Sequence, residues 1–108
     1  MKIKKDVILS GLQLPMRRAL ITADKIWKET GEELVITAGL DGVHSAGSVH
    51  YYGYAVDLRT RYFKDSKYPP GVIDGIAAQL KGNLGSDYDV VVHSSHIHVE
   101  YDKIAKGV

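Results

Sequence analysis

The run "HIHVEY", His96 to Tyr101, sets two imidazoles and a carboxylate at alternate positions, with Ile97, Val99 and Tyr101 between them. On an extended strand successive side chains point to opposite faces. His96, His98 and Glu100 then share one face, and the apolar residues share the other. The run "YAVDLRT" repeats the arrangement: Tyr54, Val56 and Leu58 face one way, Ala55, Asp57 and Arg59 the other. An ionised carboxylate within so apolar a strand is costly unless something pairs with it. His50 precedes Asp57 with Gly53 between them, and Ala55 is small enough to leave room beside the carboxylate. All five histidines lie either in the glycine-rich stretch before Asp57 (His44, His50) or around the last strand (His93, His96, His98).

If the two strands are neighbours, His50, Asp57, His96 and His98 converge. Two neutral imidazoles and one carboxylate, with a fourth position left to water, form the donor set of a catalytic zinc site. A closed structural site takes four protein ligands, commonly cysteines. Zinc so held lowers the pKa of water towards about 7 and makes it a nucleophile at neutral pH. Spacing alone leaves open which of His96 and His98 binds the metal, since both point the same way. Glu100 is either a hydrogen-bond partner of a ligand histidine or a solvated carboxylate.

The elements that must position these groups are legible from periodicity. Met16, Leu20, Ala23 and Trp27 recur at helical spacing, widened by Ala19 and Ile26, and predict a helix over Leu14 to Thr30. Pro15 suits its first turn and Gly31 its stop. "ELVITAG" predicts a buried strand, Leu34 to Ala38, followed by a long glycine-rich loop from Gly39 to Gly53. Long loops in small domains are commonly functional. Strand character returns from Tyr54 to Arg59, "YFKDSKYPPG" reads as a polar loop, and "VIDGIAAQLKG" as a second helix with Val72, Ile73, Ile76, Ala77 and Leu80 inward. Two strands, "YDVVV" and "HIHVEY", close the chain. This order predicts an α+β domain, a small and mostly antiparallel sheet with two helices packed on one face.

At 108 residues the chain is expected to form one domain spanning 1–108. A formal charge of +1 and the lack of a basic stripe argue against nucleic acid, and so against a histidine-metal nuclease. Lys2, Lys4 and Lys5 read as a solvated, frayed end. The absence of cysteine removes disulfides, thiolate metal sites and cysteine nucleophiles. No apolar run reaches the length of a membrane span, and "VILSGLQLP" is too short for a signal peptide. The expectation is a monomer that does not insert in membranes, cytoplasmic at synthesis or virion-associated.

The stretch "SVHYYGYAVD" fits the pattern S-x-H-x-x-G-x-A-x-D, and "HIHVEY" supplies an H-x-H after it. Together they resemble the zinc peptidases of the D-alanyl-D-alanine carboxypeptidase and murein endopeptidase group, whose fold is shared with the hedgehog signalling domain. The likeness runs from "VITAG" to "VEYD", about two thirds of the chain. It implies that His50, Asp57 and His98 bind zinc and that His96 stands beside the metal as base or transition-state stabiliser. Ser48 and Gly53 match positions that shape the loop. The substrate implied is a peptidoglycan stem peptide, cleaved as a D-Ala-D-Ala carboxypeptidase or an L-Ala-D-Glu type endopeptidase would. The small bare domain resembles phage lysis enzymes.

Two departures from that pattern stand out. Many relatives carry an acidic base just before the last ligand, where this chain has His93, Ser94 and Ser95. A histidine base, His96 in preference to His93, is then implied. The arginine that relatives place after the strand leading into the loop is missing, with His44 or Arg59 as its substitute for binding substrate. These gaps motivate the alternative of a non-catalytic zinc-containing module. Tyr51, Tyr52 and Tyr54 suit either glycan stacking or core filling.

Overall fold

The computed structural model describes residues 1–39 and 53–101. They form an α+β fold with two helices and a five-stranded mixed sheet. In chain order these are β1 (Lys2–Ile3), α1 (Leu14–Thr30), β2 (Val35–Ala38), β3 (Ala55–Arg59), α2 (Val72–Leu84), β4 (Tyr88–Val92) and β5 (His96–Tyr101). A 3-10 turn, Arg61–Lys64, links β3 to the segment leading into α2. The strand order is β1-β2-β3-β5-β4. Three of its pairings are antiparallel, and β1 joins β2 in parallel.

Helix α1 has the expected limits because local chemistry sets both ends. Pro15 occupies the first turn, where its missing N–H costs nothing, and Gly31 takes φ 88° as the left-handed cap, its N–H donating to Lys28 O at 3.1 Å. Met16, Ala19, Leu20, Ala23, Ile26 and Trp27 are all buried. They meet Ile76, Leu80 and Leu84 of α2 and one face of the sheet, Ile36, Val56, Leu58, Val90, Ile97 and Val99, in one hydrophobic cluster. Leu84, beyond the expected end of α2, belongs to this core, whereas Val72 and Ile73 only pack against its edge.

Two expectations are corrected. The N-terminal lysines are exposed, but the end is not frayed: Lys2 N donates to Leu34 O at 2.7 Å and Lys4 N to Ile36 O at 3.0 Å, so the chain covers the edge of β2. Secondly, "YFKDSKYPPG" is not simply polar. Phe63 is buried in the 3-10 turn and meets Trp27 edge-on at 5.9 Å and Tyr68 at 5.2 Å. The Trp27 indole N–H donates to Tyr62 Oη at 2.7 Å, and Tyr62 O–H donates to Glu33 O at 2.9 Å. A run dense in lysine and proline therefore hides an aromatic wedge between α1 and the sheet. Burial pushes the Tyr62 phenol up to about 12.

The two ends of the glycine-rich loop are clamped by one segment. A β-carbon on Gly39 would lie 2.5 Å from Ile8 O, and one on Gly53 would lie 2.3 Å from Gly11 O. Gly53 also has φ 78°, and its carbonyl accepts Gln13 N–H at 3.0 Å. Only glycine meets both demands at position 53 without moving backbone.

Candidate metal centre

Strands β3 and β5 pair antiparallel with Asp57 directly opposite His98, Arg59 opposite His96 and Ala55 opposite Glu100. Residues opposite one another in a ladder share a face. Val56, Leu58, Ile97 and Val99 all turn into the core, at 1% exposure or less, which forces Asp57, His96, His98 and Glu100 together on the other side. Strand β4 extends this face, since Val91 lies opposite His98 and Asp89 opposite Glu100.

His98 is the centre of the group. Its Nδ1 lies 2.8 Å from Asp57 Oδ1 and its Nε2 lies 2.8 Å from Glu100 Oε1. The ring donates to both carboxylates when doubly protonated, and its pKa is raised, by the Asp57 hydrogen bond first and then by Glu100, against burial. His96 behaves oppositely. Its Nε2 stands 3.8 Å from Asp57 Oδ2, and burial outweighs that carboxylate, so its pKa is lowered and neutral imidazole is favoured near neutral pH. The His93 ring stacks on His96 at 4.7 Å and meets His98 edge-on at 6.4 Å. The His93 N–H donates to His96 O at 2.8 Å, closing the β4–β5 turn that gathers the three rings.

The donor chemistry suits zinc. An imidazole nitrogen and a carboxylate oxygen face each other at 2.8 Å, against roughly 3.3 Å between two ligands of a tetrahedral ion with ordinary Zn–N and Zn–O bonds. Glu100 on the remote ring nitrogen is the carboxylate–histidine arrangement that orients metal-ligating histidines. Among the described residues no group of three or more His, Cys, Asp and Glu is arranged to hold a metal ion. Asp57 and His98 provide two donors, and the expected third, His50, lies outside the described residues, as do His44, Ser48, Tyr51 and Tyr52.

Of the other expected site residues, Arg59 shares the site face but points into a small pocket on the β2 side of Asp57. His93 is exposed and borders a cavity of about 550 Å³ on the opposite flank, walled by Phe63, Tyr68, Pro70 and Val72. Sequence reasoning missed that cavity because its walls come from the wedge taken for a polar loop. Tyr54 packs on Tyr101, centroids 6.2 Å apart, which in turn meets Tyr88 edge-on at 5.2 Å, so it serves the fold. Among the described residues no helix is long and apolar enough to cross a membrane. No family model matches the chain, and no curated protein matches it.

Proposed function

We propose that this chain is a zinc-dependent peptidase that hydrolyses peptidoglycan stem peptides. The observation that carries the reading is the register that sets Asp57 against His98 at 2.8 Å, with His96 and His93 beside them, on the face turned away from the core. His98 and Asp57, with His50 from the preceding motif, would hold the ion, and the motif resemblance supplies the substrate class. Zinc bound there would supply a Lewis acid for the scissile carbonyl and acidify the attacking water.

The remaining chemistry belongs to the protein. Glu100 and the strand ladder fix the orientation of the His98 ring, so little reorganisation is left for the reaction. His96, neutral and next to Asp57, would take the proton of the attacking water and return it to the leaving amine. His93, stacked on His96, would steady the developing oxyanion.

A second reading, a zinc-containing module without turnover, is favoured by one feature: the β4–β5 turn from His93 to His96 carries no carboxylate to act as base. Digestion of purified peptidoglycan, with products read by mass spectrometry, separates the two. Release of stem-peptide fragments by the zinc-loaded chain supports the peptidase. A zinc-loaded chain that releases none from several wall types leaves the binding module. Failure of His50→Ala, Asp57→Ala and His98→Ala to lose zinc would remove both.

A further inference from the structure

The sheet has two outer strands, β1 and β4, and they are not equally protected. Strand β1 is two residues long and carries Lys2, a short and charged form that discourages sideways pairing. Strand β4, "YDVVV", is five residues long, pairs with β5 in unbroken register and holds no lysine or proline. The His93 N–H bond to His96 O fixes the phase of that ladder. Asp89 and Val91 therefore turn their backbone groups towards β5, and Val90 and Val92 turn theirs outward. Among the described residues nothing bonds to Val90 or Val92 on that outer side. The side chains of Val91 and Val92 are 43% and 40% exposed. Asp89 is exposed as well and stands directly opposite Glu100, a like charge. Among the described residues it forms no ion pair.

We propose that β4 pairs with β4 of a second copy of this chain, antiparallel about a two-fold axis at Val91, so that each copy sets a carboxylate beside the other's histidine cluster. The outward backbone groups permit an axis at Val90, Val91 or Val92, and the side chains choose between them. With the axis at Val91, Asp89 of one copy lies opposite His93 of the other, Val90 opposite Val92, and Val91 opposite its own counterpart. With the axis at Val90 or Val92, Asp89 meets Val91 or Ser95 and finds no imidazole. The Asp89–His93 and Val91–Val91 pairs fall where backbone groups point away from the new ladder, the positions at which side chains approach most closely. An imidazole has an N–H to donate whether neutral or charged, so the carboxylate gains a partner in either state. The β4–β5 turn has no carboxylate of its own, and His93 stacks on His96 at 4.7 Å, so the second copy adds a group that the centre lacks. Two five-residue strands bury an area at the small end of the interface range, below about 1,200 Å², so the dimer is reversible and the dilute chain monomeric.

The pairing needs neither metal nor substrate, and its test uses the zinc-free full chain and reads no turnover. Sedimentation velocity from micromolar to millimolar concentration should show the average mass rising from monomer towards dimer. Val91→Lys, which sets two ammonium groups face to face on the axis, should abolish that rise while circular dichroism stays that of the parent. The chain has no cysteine of its own, so single thiols report the register. In oxidised glutathione, Val91→Cys should form disulfide-linked dimers at least about tenfold faster than Val92→Cys, whose exposure is similar but whose counterpart is Val90. Asp89→Cys and His93→Cys should each stay uncross-linked alone and form mixed dimers when combined. A mass that stays monomeric to millimolar concentration would overturn the proposal. So would a Val91→Lys chain that dimerises like the parent, equal cross-linking of Val91→Cys and Val92→Cys, or the absence of mixed dimers.

Discussion

Glu100→Gln probes the centre most finely, because it keeps the shape and the acceptor oxygen while removing one charge. Glu100 Oε1 is 2.8 Å from His98 Nε2, and the two side chains are 22% and 18% exposed. A carboxylate on the remote nitrogen of a metal-ligating imidazole raises its basicity, and removing such partners typically costs about 10- to 100-fold in metal affinity. Partial exposure and the retained acceptor place this case near the lower end, roughly tenfold, or about 1.4 kcal/mol. A second effect runs the other way. Without metal the His98 pKa is raised by Asp57 and Glu100, so at low pH zinc must displace a proton that Glu100 helps to hold. The substitution weakens that proton as well, and the deficit should shrink as the pH falls below the His98 pKa. Zinc competition against a chromophoric chelator at pH 6 and pH 8 reads both effects, with the variant-to-parent ratio of Kd larger at pH 8. Equal zinc affinities at pH 8 would refute the role given to Glu100, and a ratio independent of pH would refute the proton competition.

Three further outcomes follow from the geometry. Asp57→Ala and His98→Ala should each lose zinc by elemental analysis, whereas His96→Ala should keep zinc and lose peptidoglycan hydrolysis; the reverse pattern at His96 and His98 would exchange their roles. Gly53→Ala should destabilise the chain by about 2–4 kcal/mol in denaturant unfolding, since the added carbon combines a left-handed φ of 78° with a 2.3 Å contact to Gly11 O, a backbone atom. The Tyr62 phenol is held neutral by burial, with its pKa raised from 10.0 to about 12. A raised folded pKa means that its contribution is complete below about pH 10 and is lost as the pH climbs through 12. Thermal melts across that window should fall, and Tyr62→Phe should flatten part of the decline.

Much of the positioning framework was legible in the residues. The limits of α1 follow from Pro15, Gly31 and an uninterrupted apolar stripe, all local features. Alternation assigned the faces of β3 and β5 correctly, because a period of two leaves no latitude once Val56, Leu58, Ile97 and Val99 must be buried. The partnership of Glu100 with His98 was one of two readings of the same alternation, and the 2.8 Å contact decides it. The aromatic wedge was hidden because Phe63, Tyr62 and Tyr68 have no helical or strand period. Their burial depends on Trp27, far away in the chain.

The sequence by itself determined that imidazoles and a carboxylate would stand on the outer faces of two strands, since burial of their neighbours dictates it. Only the tertiary structure decided that these strands adjoin and that Asp57 lies within hydrogen-bond distance of His98, at 2.8 Å, with His96 farther off at 3.8 Å. Register between segments so distant in the chain depends on the packing of the whole sheet and on no local propensity. The same holds for the concavity that Lys4, Arg59 and Arg61 line together, since Lys4 is brought there by a two-residue strand that pairs in parallel with β2.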